Sequence, residues 1–210
     1  MKDFSNKKDI ENKLDLLIKK DEEFVAIISG KWGIGKTYFW KEYSKKYNKD
    51  KDVVYVSLFG LNSIEDIKEK ILLELANHNR EYYKKIKNVL KDIKITGISV
   101  GGFLSLFSNE DFQNIIICFD DFERLSNKIS LKDVLGFVSQ LKEQKKCKII
   151  MILNEQELNK LTDIEGRSYS QIMSLYKEKI VDYEFPFIYA GPPKLNKKKQ
   201  IKFLYDKIRI

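Results

Sequence analysis

The stretch Phe24–Thr37, FVAIISGKWGIGKT, decides the fold. Its first half, Phe24–Ile28, is an unbroken apolar run of strand length, the pattern of a strand covered on both faces. The second half, Gly30-Lys31-Trp32-Gly33-Ile34-Gly35-Lys36-Thr37, satisfies G-x-x-x-x-G-K-[ST] in full. Phe39, Tyr43 and Tyr47 then recur every four residues, so a helix follows. Strand, glycine loop and helix in that order make a polyphosphate cradle, or P-loop. Glycines let consecutive backbone N–H groups curl toward the anion, and the helix start adds positive potential. In such a loop Lys36 reaches the β- and γ-phosphates while the Thr37 hydroxyl ligates Mg²⁺. The expected cofactor-binding set is Gly30, Lys31, Trp32, Gly33, Ile34, Gly35, Lys36, Thr37 and Tyr38. A glycine loop with a purely structural role is the alternative, disfavoured by the buried strand before it and the amphipathic helix after it.

Working outward, the same alternation continues. Ser5 can cap a first helix striped by Ile10, Leu14, Leu17 and Ile18. Val53–Phe59 reads as a second strand, and Ser63 with Asp66 opens a helix striped by Ile64, Ile67, Ile71, Leu72 and Leu75. Ile115–Phe119 is a third strand. Ser130 with Asp133 starts a helix striped by Leu131, Val134, Leu135, Val138 and Leu141. Ile149–Leu153 is a fourth strand. A helix bearing Tyr169, Ile172, Met173 and Tyr176 leads to a fifth over Ile180–Phe185. Strands alternating with helices imply a parallel sheet covered on both faces, with ligands at the carboxyl ends of the strands.

The polar residues fall at those ends. Asp120 and Asp121 follow Ile115–Phe119 directly. A carboxylate on a neighbouring strand suits Mg²⁺, so the metal set is Thr37 and Asp120. Asp121 is placed to orient or deprotonate the attacking water. Asn154, after the fourth strand, either contacts the γ-phosphate or caps a helix over Glu155–Leu161. Arg124 either stabilises transition-state charge or pairs with an acid on a solvated turn. The catalytic set is Lys36, Asp121, Asn154 and Arg124. Arg167, before the last helix, is a weaker candidate for an arginine acting across subunits. His78, the single histidine, lies among polar residues, and from so few candidates neither a metal cluster nor a Ser/His/Asp or Cys/His arrangement can be assembled.

Composition bounds the rest. With 43% hydrophobic and 12% aromatic residues among 210, one compact domain is expected rather than a disordered chain. The net charge of +8 comes from lysines spread along the chain, as on a solvated surface. They crowd only in the tail, at Lys194, Lys197, Lys198, Lys199, Lys202 and Lys207. That segment is a candidate contact for nucleic acid. Cys118 and Cys147 sit in or beside apolar runs without CxxC spacing, as small buried hydrophobes of a reducing compartment. The first twenty residues are too charged for a signal peptide, so the cytoplasm is expected. Ile93–Ser108 is apolar and Gly/Ser-rich but, at about sixteen residues, shorter than the roughly 20 that span a bilayer.

GKWGIGKTYFW, YVSLFGLNSIEDI, IIICFDDFERL, IIMILNEQEL and YKEKIVDYEFPF occur in the order seen in KAP-type P-loop NTPases, and the chain resembles that family over residues 5 to 190. Trp32 in the loop, the run Asp120–Arg124 and the segment Tyr176/Glu178-Lys179-Ile180 are its more specific marks. The family is related to the AAA+ and STAND switch ATPases. The resemblance implies a three-layer P-loop NTPase fold with a mostly parallel five-stranded sheet in the order 5-1-4-3-2. It implies binding of ATP and Mg²⁺, with Gly30–Thr37 on phosphate, Asp120 on the metal and Asp121 on the water. Hydrolysis would drive a switch of conformation or assembly, and many bacterial members look like parts of anti-phage defence. Partners implied are ATP/ADP and a homo-oligomer or a defence-system effector protein. The expected organisation is an NTPase domain over 1–190 with an insertion at about 78–110, where some members carry membrane helices. A basic amphipathic segment over 191–210 would then begin a lid or following domain.

Overall fold

The computed structural model describes residues 6–47, 51–78, 83, 84, 87, 115–163 and 166–188. Helix α1 (Lys7–Lys19) precedes strand β1 (Phe24–Ser29), and α2 (Lys36–Ser44) follows the glycine loop, continued by a 3₁₀ turn at Lys45–Tyr47. Strand β2 (Asp52–Ser57) leads to α3 (Ile64–His78). After β3 (Ile115–Asp120) come a 3₁₀ turn at Phe122–Arg124 and helix α4 (Leu131–Lys145). Then follow β4 (Lys148–Leu153), the short α5 (Glu155–Leu158), α6 (Tyr169–Ile180) and β5 (Tyr183–Pro186).

The five strands form one parallel sheet in the order β2-β3-β4-β1-β5, which from its other edge is 5-1-4-3-2. Period-two alternation divides their side chains between two cores. Val25 and Ile27, Val54 and Val56, Ile117 and Phe119, and Ile149 and Met151 face the layer built by α3, α4 and α6. Phe24 and Ile28, Ile116 and Cys118, and Ile150 and Ile152 face α1 and α2. Strands β1, β3 and β4 are buried along their whole length, which is why they read as unbroken apolar runs. Cys118 and Cys147 are buried free thiols in these cores.

The helix starts follow the sequence signals closely. Ser63 Oγ accepts from the Asp66 N–H at 3.0 Å, and Ser130 Oγ from the Asp133 N–H at 3.0 Å. At α1 the cap position falls to Asn6, while Ser5 lies outside the described residues. Asn6 makes no side-chain cap; its amide instead donates to the Pro186 carbonyl at 2.6 Å and accepts from the Ile188 N–H at 2.9 Å. The fifth strand starts at Tyr183 rather than Ile180, because Ile180 completes the buried stripe of α6. Asp182 marks the boundary: its carboxylate accepts from the Val25 N–H at 2.8 Å and its own N–H bonds the Val25 carbonyl at 2.9 Å. The segments 93–108 and 191–210 and the His78 side chain lie outside the described residues. No helix among the described residues is long and apolar enough to cross a membrane.

Candidate nucleotide site

The glycine loop closes the carboxyl end of β1 and is held there by backbone approach. A Cβ on Gly30 would meet the Phe187 carbonyl oxygen at 2.8 Å and Ile34 Cδ1 at 2.7 Å, so only hydrogen fits. Gly35, the N-cap of α2, sits at φ 94°, a region that glycine enters without penalty. Ile34 anchors the loop against the core beneath α1 and α2. Trp32 and Tyr38, in contrast, are 80% and 65% exposed and contribute no packing to the fold.

Lys36 is buried, and its ammonium donates to the carbonyls of Gly30 at 2.8 Å and Lys31 at 2.9 Å. The side chain thus lies curled within its own loop. Burial lowers its pKa, opposed by the charges of Glu123 and Asp120. No carboxylate among the described residues forms an ion pair with it, and an arriving phosphate would offer it charge-assisted hydrogen bonds.

Thr37 and Asp120 meet across the sheet. The threonine hydroxyl donates to Asp120 Oδ2 at 2.6 Å, and the Tyr55 hydroxyl donates to the same oxygen at 2.9 Å. Burial and the Asp120 charge raise the Tyr55 pKa, so this phenol remains a donor. Asp120 is buried, and its second oxygen accepts from the Asp121 N–H at 2.8 Å. A hydroxyl and a carboxylate are hard oxygen donors of the kind Mg²⁺ takes, so the two residues fit that ion. No group of three or more His, Cys, Asp or Glu side chains among the described residues could hold a metal without further ligands.

The remaining candidates separate. Asp121 takes a left-handed conformation at φ 62°. Its Oδ2 accepts from Ser57 Oγ, at the end of β2, at 2.6 Å. The Arg124 guanidinium lies over the Phe59 ring, 3.7 Å from its centroid, and is 3.9 Å from Asp121. Asn154 is 1% exposed, and its backbone carbonyl receives the Glu157 and Leu158 N–H groups. The side chain, however, forms no cap bond, so the side-chain capping alternative is not what the residue does. Both its amide atoms are buried without a partner. Arg167 pairs with Asp163 at 2.9 Å.

One residue escaped the sequence reading. Glu123, on the 3₁₀ turn after β3, keeps Oε2 buried and without a hydrogen-bond partner. Burial raises its pKa, with the charges of Asp121 and Asp120 adding to the effect and Lys36 opposing it. Its one sequence signal is an acid three residues after Asp120, as readily placed on a solvated turn.

A family model described as an AAA domain matches residues 19–162, more than half of the chain. No curated protein matches. Among solved structures, Drosophila ORC bound to poly(dA/dT) DNA and Cdc6 is similar over 97% of this chain and 31% of its own, at a TM-score of 0.50 and 10% identity. A DNA replication initiation factor is similar over 97% of this chain and 50% of its own, with a TM-score of 0.46 and 16% identity. Cdc6p from Pyrobaculum aerophilum covers 96% of this chain and 48% of its own, with a TM-score of 0.42 and 17% identity. The chain therefore spans at most half the length of these proteins, and the likeness concerns the fold. The AAA match, the glycine loop between β1 and α2 and the 5-1-4-3-2 sheet together make the chain a member of the AAA domain family, a P-loop ATPase domain.

Proposed function

We propose that this domain binds Mg-ATP at the carboxyl ends of β1, β3 and β4, hydrolyses it, and uses the cycle as a conformational switch. The observation that carries the reading is the meeting of Thr37 and Asp120 at 2.6 Å beside a buried Lys36. In the bound state the loop N–H groups and the Lys36 ammonium hold the β- and γ-phosphates. Thr37 and Asp120 would hold Mg²⁺, which would supply neutralisation of phosphate charge. The buried Asn154 amide, unpartnered among the described residues, reads the γ-phosphate or its product through hydrogen bonds that those residues do not offer it.

The finer assignment is a KAP-type switch ATPase working in anti-phage defence. Its support is the set of stretches from GKWGIGKTYFW to YKEKIVDYEFPF, and Trp32 and Asp120–Arg124 in particular. Its partner is then an effector protein or further copies of the chain, in the cytoplasm.

Phosphate release from ATP, measured with Mg²⁺, with EDTA and in Asp120→Ala, tests the activity. Turnover in the first arm alone is expected. Equal turnover in all three would contradict the site, and firm ATP binding without turnover would make the domain a regulatory nucleotide-binding module. An arm with added DNA or RNA separates a third reading, motivated by the lysine-rich tail. Stimulation that fades steeply with salt would turn the switch into a nucleic-acid-dependent one.

A further inference from the structure

The Asp120 carboxylate is gripped from three sides. Its neighbour at the edge of the sheet is β2, where Tyr55 stands beside Cys118 in the parallel register. Asp120 lies two residues beyond Cys118 and so on the same face, the one covered by α1 and α2. From that face the Tyr55 hydroxyl donates to Asp120 Oδ2 at 2.9 Å. Thr37, at the start of α2, donates to the same oxygen at 2.6 Å, and the Asp121 N–H donates to Oδ1 at 2.8 Å. The phenol is itself kept in place. The Lys41 ammonium, one turn along α2 from Thr37, lies 4.5 Å from the centroid of the Tyr55 ring.

A carboxylate offers about four acceptor positions, two on each oxygen. Among the described residues, Thr37 and Tyr55 fill both on Oδ2, and the Asp121 N–H fills one on Oδ1. What is left for an ion or an ion-bound water is the rest of Oδ1. That limit matters because divalent ions differ in what they take. Mg²⁺ demands near-ideal octahedral geometry and keeps several waters, whereas the larger Ca²⁺ accepts both oxygens of a carboxylate in a flexible shell. Thr37 belongs to the ligand set already. Tyr55 does not, and its hydroxyl is the group that closes Oδ2.

We propose that Tyr55 is a positioning residue that selects the metal. By occupying Asp120 Oδ2 together with Thr37, it keeps the carboxylate from closing on an ion with both oxygens, and so favours Mg²⁺ over Ca²⁺. The assignment rests on the Mg-ATP reading above.

The test is calorimetric titration of ATP into the whole chain in Mg²⁺, in Ca²⁺ and in EDTA, for the unaltered protein, Tyr55→Phe and Lys41→Met. Tyr55→Phe keeps the ring and removes only the hydroxyl. In that variant the ratio of ATP affinity in Mg²⁺ to that in Ca²⁺ should fall at least about fivefold, the worth of one ordinary hydrogen bond. Affinity in EDTA should stay within about twofold, because the loop N–H groups and Lys36 meet the phosphates without the carboxylate. Lys41→Met loosens the ring without touching Asp120, and should move the ratio the same way by less. If Tyr55→Phe does not fold, Lys41→Met decides alone. An unchanged ratio, or an equal loss of affinity in all three media, overturns the assignment and leaves the ATPase reading standing. ATP affinity indifferent to either ion in the unaltered chain overturns the metal site and the assignment with it.

Discussion

The two ends of the sheet handle charge differently. At the amino end two ion pairs flank the strands. Lys146 pairs with Glu23 at 2.6 Å, just before β4 and β1. Lys142 pairs with Asp182 at 2.7 Å just before β5, and its ammonium also reaches the Ile180 carbonyl at 3.2 Å. At the carboxyl end, Lys36 rests on neutral carbonyls, Glu123 Oε2 has nothing, and Asn154 leaves both amide atoms bare. The same backbone supports both ends, so the difference lies in what each end is for. One closes the fold. The other keeps unspent hydrogen-bonding capacity for a ligand, at some cost to stability.

The comparison can be broken or sharpened by substitution. The largest effect is expected midway between the ends, where both depend on the same core. Ile117→Ala should destabilise the chain by about 2–5 kcal/mol, read by thermal or denaturant unfolding, because this central strand is fully buried. Molecules that remain folded should still bind nucleotide. Asn154→Leu should act in the reverse direction. Exchanging an unpartnered buried amide for hydrocarbon of similar shape should raise the unfolding free energy of the nucleotide-free chain by about 1 kcal/mol or more while turnover is lost. A fall in stability would mean that the amide has a structural partner after all.

How far these contrasts were legible in the sequence follows from how local each one is. The glycine loop, the strand and helix flanking it and the Ser63 and Ser130 caps depend on residues within a few positions of one another, and the structure repeats them nearly residue for residue. The order 5-1-4-3-2 came only with the family resemblance, because strand order is not written in any local period. Ile180 fits the stripe of Tyr169, Ile172, Met173 and Tyr176 as well as it fits the head of a strand, so the last boundary moved by three residues. The Ser57 bond to Asp121 joins positions 64 residues apart, and no pattern around either announces it. Glu123 was hidden for the same reason: an acid on a turn looks solvated until β4 and α5 are packed over it. Asn154 carried two readings because one amide suits a helix start and a phosphate alike; only its bare side chain separates them.

The smallest effect is expected at the amino end. The Glu23 carboxyl is held below its ordinary pKa, chiefly by the hydrogen bond from Lys146. A carboxylate with a depressed folded pKa stabilises the fold above its unfolded value, and that contribution is lost as the pH falls below the ordinary value of 4.5. Lys146→Met should therefore reduce stability at neutral pH by less than about 1 kcal/mol, the usual limit for a pair this open to water. Below that pH the variant and the unaltered chain should converge. Denaturant melts at pH 7 and pH 3 read the difference, and it should leave ATP binding untouched.

The most direct measurement is calorimetric titration of ATP, with and without Mg²⁺, into the unaltered chain and into Lys36→Ala. The unaltered chain should bind one nucleotide, more tightly with the metal. Loss of the ammonium should weaken binding at least about 100-fold, the equivalent of two charge-assisted hydrogen bonds to phosphate, without lowering the melting temperature appreciably. Equal affinity in the two proteins, or binding indifferent to Mg²⁺, would mean that the open end of the sheet serves some other ligand.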